Sequence, residues 1–197
     1  MWHRRTVSYF VVKLNGNTAI CAGSPDVSVL TAAVIATVRG PAQLTVSGLR
    51  SAGGENTHWF WPPHTLAQSD QIEIAYLSEG RQTEPSSTVV EPERTIQELL
   101  AELRSRSELI PTDVAKIPRF ASGARSHRLS VATSAGSRVE ATLGNSENLQ
   151  AVVCLAQKQC KIEVDSLTVQ SDGSTLGKRW LAEPLALGEA VSLTYAT

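Results

Sequence analysis

Three cysteines in 197 residues are too few and too irregularly placed to staple this chain. Cys21, Cys154 and Cys160 match no zinc-ligand spacing, so free thiols buried in a reducing cytoplasm are expected, with a Cys154–Cys160 bridge across a hairpin as the alternative. Long apolar runs are also missing. None approaches the roughly 20 residues that span a bilayer, which argues against a membrane helix. The positive start at Arg4 and Arg5 leads into TVSYFVVKLNGN, which Lys13 and turn residues interrupt, so it reads as a strand and not as a signal-peptide core. A surplus of one charge is absent too, since 18 basic and 19 acidic residues leave a net charge of -1. That balance counts against nucleic acid as the main partner, because phosphate binding draws on clustered Lys and Arg.

The sequence is equally poor in catalytic patterns. There is no G-x-S-x-G elbow, and SAGGEN lacks the lysine and the strand-to-helix setting of a phosphate loop. Nucleophilic catalysis needs a Ser or Cys, a base and an orienting group in one place, and the second half of the chain offers Cys154 and Cys160 with only His127 at its edge. Glu55, Asp70 and Glu73 could cluster, but half-exposed acids on strands are usually solvated. His58 and His64, with Glu55 or Asp70, lack a clear third metal ligand and read as surface histidines. The expectation is a chain that is not an enzyme and holds no cofactor or metal.

What the chain does contain is a repeat of itself. AQLTVSGLRSAGGENTHWFWPPHTLAQSDQIEIAYL aligns with QCKIEVDSLTVQSDGSTLGKRWLAEPLALGEAVSLTYAT. Leu44 and Val46 fall on Ile162 and Val164, Trp61 on Trp180, Leu66 on Leu185, and Ile72, Ile74 and Tyr76 on Val191, Leu193 and Tyr195. Upstream, VLTAAVIATV lies on NLQAVVCLAQ. The expected organisation is an N-terminal unit at 1–79, a linker at 80–126 and a degenerate C-terminal copy at 127–197. Units of this size are near the lower limit for independent folding, so the two are expected to lean on each other.

Period-two alternation dominates each unit. VSYFVVKL and TAICAG flank Asn15-Gly16, a strong hairpin signal, and QLTVSGL and QIEIAYL alternate apolar with polar. SPDVSVLTAAVIATVRG is ambiguous. Ser24, Pro25 and Gly40 punctuate it like a helix, which would make each unit a ubiquitin-like β-grasp. Seven β-branched residues among the twelve from Val27 to Val38, and apolar residues on both faces, favour a buried strand. The fold expected is therefore mainly β: two tandem antiparallel sandwich- or barrel-like units, with paired β-grasp units as the alternative. In the linker, EGRQTEPSSTVVEP reads as flexible. TIQELLAELRSRSELI follows, with a Thr95–Glu98 capping box and an apolar stripe at Ile96, Leu99, Leu100 and Leu103, and predicts an amphipathic helix over about 95–107. Such a helix would cover a sheet or dock in a partner's groove.

The stretches LNGNTAICAG, SVLTAAVIATV, LTVSGLRS, ENTHWFW and LAQSDQIEIAYL resemble small bacterial proteins of unknown function. Their pattern runs I-N-G, C-x-A-G, G-V-L-x-x-x-V, L-x-V-G-G-L-D-S, E-H-x-x-W and L-x-V-G-D-E-x-x-I-x-I. Arg50 replaces the Asp, and the Gly-Asp pair is Ser69-Asp70 here and Gly188-Glu189 in the second copy. The resemblance implies a bacterial origin and a compact β domain, and carries no catalytic residue.

One window remains: HWFWPPH, residues 58–64, with two of the four tryptophans and two of the four histidines. Trp61 recurs as Trp180 and is expected in the core, with Trp59 on its face or at the core's rim. His58 and Phe60 should point the other way, and Lys178 and Arg179 stand where the second copy would have Trp59 and Phe60. His58, Trp59 and Phe60, with Leu99 and Leu103 of the linker helix, are the candidate partner-binding residues. The function expected is a non-enzymatic protein-interaction module of a bacterial cytoplasm, of the immunity, defence or adaptor kind. Its partner would be another protein, a second copy among the candidates. The competing readings are a tandem ubiquitin-like modifier, which lacks a C-terminal glycine, and a carbohydrate-binding module stacking sugars on Trp59 and Phe60.

Overall fold

A computed structural model describes residues 7–38, 40–95, 97–98, 127–144, 148–169 and 175–197. The chain is mainly β, and its strands form two antiparallel sheets, neither of which closes into a barrel. The first sheet runs β10 (Arg138–Thr142), β9 (Arg128–Thr133), β14 (Ala190–Ala196), β7 (Gln71–Leu77), β1 (Tyr9–Leu14), β2 (Asn17–Gly23). The second runs β13 (Thr175–Pro184), β12 (Gln159–Val169), β11 (Asn148–Ala156), β3 (Val29–Thr37), β4 (Gln43–Ala52), β5 (Glu55–Phe60), β8 (Ser87–Pro92). The short β6 (His64–Thr65) also pairs with β4. Asn15 and Gly16, both at positive φ, turn β1 into β2, the geometry that suits Asn-Gly.

The ambiguous run is strand β3, which removes the β-grasp alternative. Leu30, Ala32, Val34 and Ala36 are fully buried on the inner face, and Ala33 on the outer face is also buried. In the middle of a sheet the inner face packs on the core while Val29, Thr31 and Ile35 stay half-buried on the outer face, the one-sided burial an antiparallel sheet allows. In the second half, β11 and β12 are joined by the two-residue turn Gln157-Lys158, both at positive φ.

Each sheet takes strands from both halves of the sequence. The joins are β7 with β14, from Ala75 opposite Ala190 to Gln71 opposite Thr194, and β3 with β11, from Val29 opposite Ala156 to Thr37 opposite Asn148. A single buried cluster fills the space between the sheets and includes Phe10, Ile74 and Trp61 from one half with Val153, Leu193 and Tyr195 from the other.

Bonds at the join come in matching pairs. Ser69 N–H donates to Tyr195 O at 2.8 Å and Gly188 N–H to Tyr76 O at 2.7 Å, while Tyr195 N–H reaches Asp70 O at 3.0 Å and Tyr76 N–H reaches Glu189 O at 2.9 Å. Asp70 and Glu189 each fold back onto a backbone amide three residues earlier, Ala67 at 2.8 Å and Ala186 at 2.6 Å. Ser69 and Gly188 both sit at positive φ, 71° and 94°. The turn demands a left-handed residue there, so glycine is the relaxed choice and Ser69 the strained one.

The segment after β7, expected to be flexible, is held in place. Trp61 Nε1–H donates to Thr83 O at 2.9 Å, and Thr83 exchanges bonds with the Cys21 backbone, accepting from Cys21 N–H through Oγ1 at 2.6 Å and donating its own N–H to Cys21 O at 2.9 Å. Ser87–Pro92 then forms β8 along β5. A composition rich in Pro and Ser read as linker, yet an edge strand tolerates proline because its outer N–H groups have no partner to lose. The Thr95–Glu98 capping box forms, with Thr95 N–H donating to Glu98 Oε2 at 2.7 Å and Glu98 N–H to Thr95 Oγ1 at 3.2 Å. Among the described residues only Gln97 and Glu98 are helical, so they do not support a helix-bearing linker; the rest of the helix expected over 95–107, with Leu99 and Leu103, lies outside them. No helix among the described residues is long and apolar enough to cross a membrane.

Candidate interaction surface

Strand β5 lies between β4 and β8, and its alternation sorts the aromatic window by face. Thr57 is buried, Trp59 packs against the core, and Trp61 just beyond the strand is only 3% exposed. Gly48 on β4 makes this packing work: a Cβ there would sit 3.2 Å from the Trp59 ring and 3.6 Å from that of Trp61. Trp59 is thus a core-facing side chain and not part of the expected contact surface.

His58 and Phe60 face outward. Phe60 is 41% exposed, and its ring stacks on that of His58 with centroids 6.3 Å apart and planes 7° from parallel. His58 sits opposite Leu49 of β4 on one side and Val89 of β8 on the other. Its Nε2 lies 3.0 Å from Glu91 Oε1, within ion-pair distance but off the hydrogen-bond line, and Arg94 approaches the other Glu91 oxygen at 3.3 Å. Val89 is 47% exposed and Val90 59%. The result is an apolar outer strip, Leu49, Phe60 and Val89, with a His–Glu–Arg chain beside it, at the end of the second sheet that β8 terminates. Trp59 and Phe60 point to opposite faces, so they do not make one stacking platform for a sugar ring.

At the opposite end of that sheet the chemistry is ionic. Arg179 bonds Asp165 at 2.9 Å and lies 3.6 Å from Glu163, and these carboxylates raise its pKa. Lys178 sits over the Trp180 ring, 3.4 Å from its centroid, while Trp180 Nε1–H donates to Ser166 Oγ at 3.1 Å.

The remaining candidates are dispersed. Asp70 accepts from Asn15 Nδ2 at 2.8 Å, Glu73 pairs with Lys13 at 2.7 Å, and His64 lies on β6 beside Leu44. No group of three His, Cys, Asp or Glu among the described residues could hold a metal ion. The three cysteines are free thiols. Cys160 opposes Leu155 on the inner face of its hairpin, whereas Cys154 is one position further along β11 and points outward, so the alternative bridge does not form. Burial, with Cys154 nearby, pushes the Cys160 thiol up to about 12. His127, weighed in the sequence only as an isolated base, is fully buried; its Nδ1 lies 2.6 Å from the Tyr195 hydroxyl, and their rings stack with centroids 5.7 Å apart. A lone histidine before a strand gives no sequence signal of such a contact.

No protein-family model, curated protein or solved structure matches the chain.

Proposed function

We propose that this chain is a non-enzymatic protein-interaction module, built by duplication of a β unit and working as an immunity, defence or adaptor protein in a bacterial cytoplasm. The observation that carries the proposal is the exposed Phe60 ring, stacked on His58 and extended by Val89 across the β5–β8 pair. An aromatic half out of water on a sheet face, flanked by a second exposed apolar side chain, is the composition of an interface centre. The adjacent Glu91 and Arg94 supply a polar rim. The bacterial setting rests on the sequence pattern alone.

The test is affinity capture from the native host with the wild-type chain and with Phe60→Ala. Truncation of a central aromatic weakens a bound partner by about tenfold or more. The expected result is loss of a specific partner with an unchanged unfolding midpoint, since Phe60 contributes little to the core. An identical partner list for both proteins would remove this face from consideration.

A further inference from the structure

A cavity of about 720 Å³ opens at one end of the sandwich, where the β11–β12 turn, the β13–β14 connection and Tyr76 of β7 meet. Its size falls within the ~300–1,000 Å³ of small-molecule sites. The walls are apolar. Tyr76, Cys160 and Leu185 are buried, and Leu187, 49% exposed, stands at the lip. Burial keeps the Cys160 thiol neutral at ordinary pH, so it adds an apolar surface and no charge.

The charged groups of the lining are unequal. Lys158, Lys161 and Glu183 are the charged side chains of the lining, two cations and one carboxylate. Lys158 sits in the turn at φ 67°, Lys161 is paired with Glu163 at 3.0 Å, and Glu183 accepts from Ser137 Oγ through Oε2 at 2.6 Å while its buried Oε1 has no hydrogen-bond partner. An apolar recess with a cationic rim is complementary to a molecule that has an apolar body and one negative end.

The tyrosine that lines the recess has a counterpart in the other half. Phe10 pairs with Tyr76 and Leu129 pairs with Tyr195, so Ser8 and His127, each two residues earlier, occupy matching places. Each meets its tyrosine hydroxyl, Ser8 Oγ at 3.3 Å and His127 Nδ1 at 2.6 Å. With an imidazole there, Tyr195 is 1% exposed; with the smaller serine, Tyr76 is 8% exposed and forms part of a cavity wall.

We propose that this cavity binds a small amphiphilic anion, a carboxylate with an unbranched apolar chain, its chain against Leu185, Leu187 and Tyr76 and its carboxylate at Lys158 and Lys161. The test uses the full chain, titrated with hexanoate, octanoate, decanoate and decyltrimethylammonium by calorimetry and by amide chemical shifts. Saturable binding should tighten about fourfold per added methylene. The shifts should centre on Cys160, Leu185 and Leu187, and the cation should not bind. Lys158→Glu with Lys161→Glu changes two exposed side chains outside the core, and should weaken decanoate about tenfold while leaving the unfolding midpoint in place. Absence of saturable decanoate binding, equal binding of the cation, shifts centred on Phe60, or full affinity in the double variant would each overturn the assignment.

Discussion

Replacing Leu193 by alanine tests whether the two halves of the chain share one folding unit. Leu193 is 1% exposed on β14, opposite Ile72 of β7 on one side and Val131 of β9 on the other. Leu→Ala at such a site costs about 3 kcal/mol, combining lost transfer energy with a residual cavity. For a chain of this length each kcal/mol moves the midpoint by about 2–4 °C, so the variant should melt about 6–12 °C lower. The informative readout is distant from the substitution. In a Trp2→Phe, Trp180→Phe background the fluorescence comes from Trp59 and Trp61, both in the other half. Because one buried cluster contains Trp61 and Leu193 together, the tryptophan signal and the far-ultraviolet circular dichroism should fall by the same amount and in one transition. Two transitions, with the Trp59 and Trp61 midpoint unmoved, would refute a shared core.

Three further outcomes follow from local features. Cys160 has an ordinary pKa of 9.0 that folding raises to about 12, so the thiol favours the unfolded chain only once that chain ionises. Stability should therefore be insensitive to this group below about pH 9 and decline between the two values; denaturant titrations across that range should show the decline, and Cys160→Val should remove this thiol's share of it. Gly23→Ala would place a Cβ 2.6 Å from the Ser8 carbonyl oxygen and 2.4 Å from the Tyr9 ring. Overpacking of this kind costs about 1–3 kcal/mol, measurable in urea, and a neutral result would mean that β1 and β2 move apart easily. Glu98 should titrate below its ordinary 4.5, because the Thr95 amide, then the Thr95 hydroxyl, then Arg94 favour its charged form. Thr95→Ala should bring it part of the way back, as read by carboxyl chemical shifts against pH. The folding contribution of such a lowered acid is present above its ordinary value and is lost as pH falls through the depressed one.

Local chemistry was legible in the sequence and non-local pairing was not. The Asn15-Gly16 turn, the alternation of β5 and β7, and the opposite orientations of Phe60 and Trp61 follow from φ preference and period two. Within Val27–Val38, the run Val29–Thr37 is a strand, as its β-branched content implied. The joins β3–β11 and β7–β14 were out of reach, because an apolar strand carries no mark of which distant strand it will meet. β8 was hidden by Pro85, Ser86 and Pro92, residues that suit a linker and an edge strand equally. His127 escaped because its role depends on Tyr195, 68 residues away. The cavity depends in the same way on Tyr76 meeting the β11–β12 turn.

The placement of the joins constrains how this chain can meet other molecules. β7 pairs with β14 and β3 with β11 near the centre of the two sheets, so those edges are consumed within the chain. In the first sheet, β2 has its outer edge partly occupied by Thr83. The second sheet ends in β8 on one side and β13 on the other: Val89 beside Phe60, with Val90 on the reverse face, at one, and Lys178 and Arg179 with Asp165 and Glu163, alongside the exposed Leu167 and Leu176, at the other. A symmetric dimer joins like to like, so an edge strand used in this way would meet its own copy. Both edge strands present exposed apolar side chains, Val89 and Val90 on β8 and Leu176 on β13, so apolar burial alone does not choose between them. What distinguishes the β8 end is an outward aromatic, Phe60 stacked on His58, where the β13 end carries Lys178 and Arg179. The ends differ in backbone as well, because β8 lies outside β5 whereas β13 is itself the edge strand.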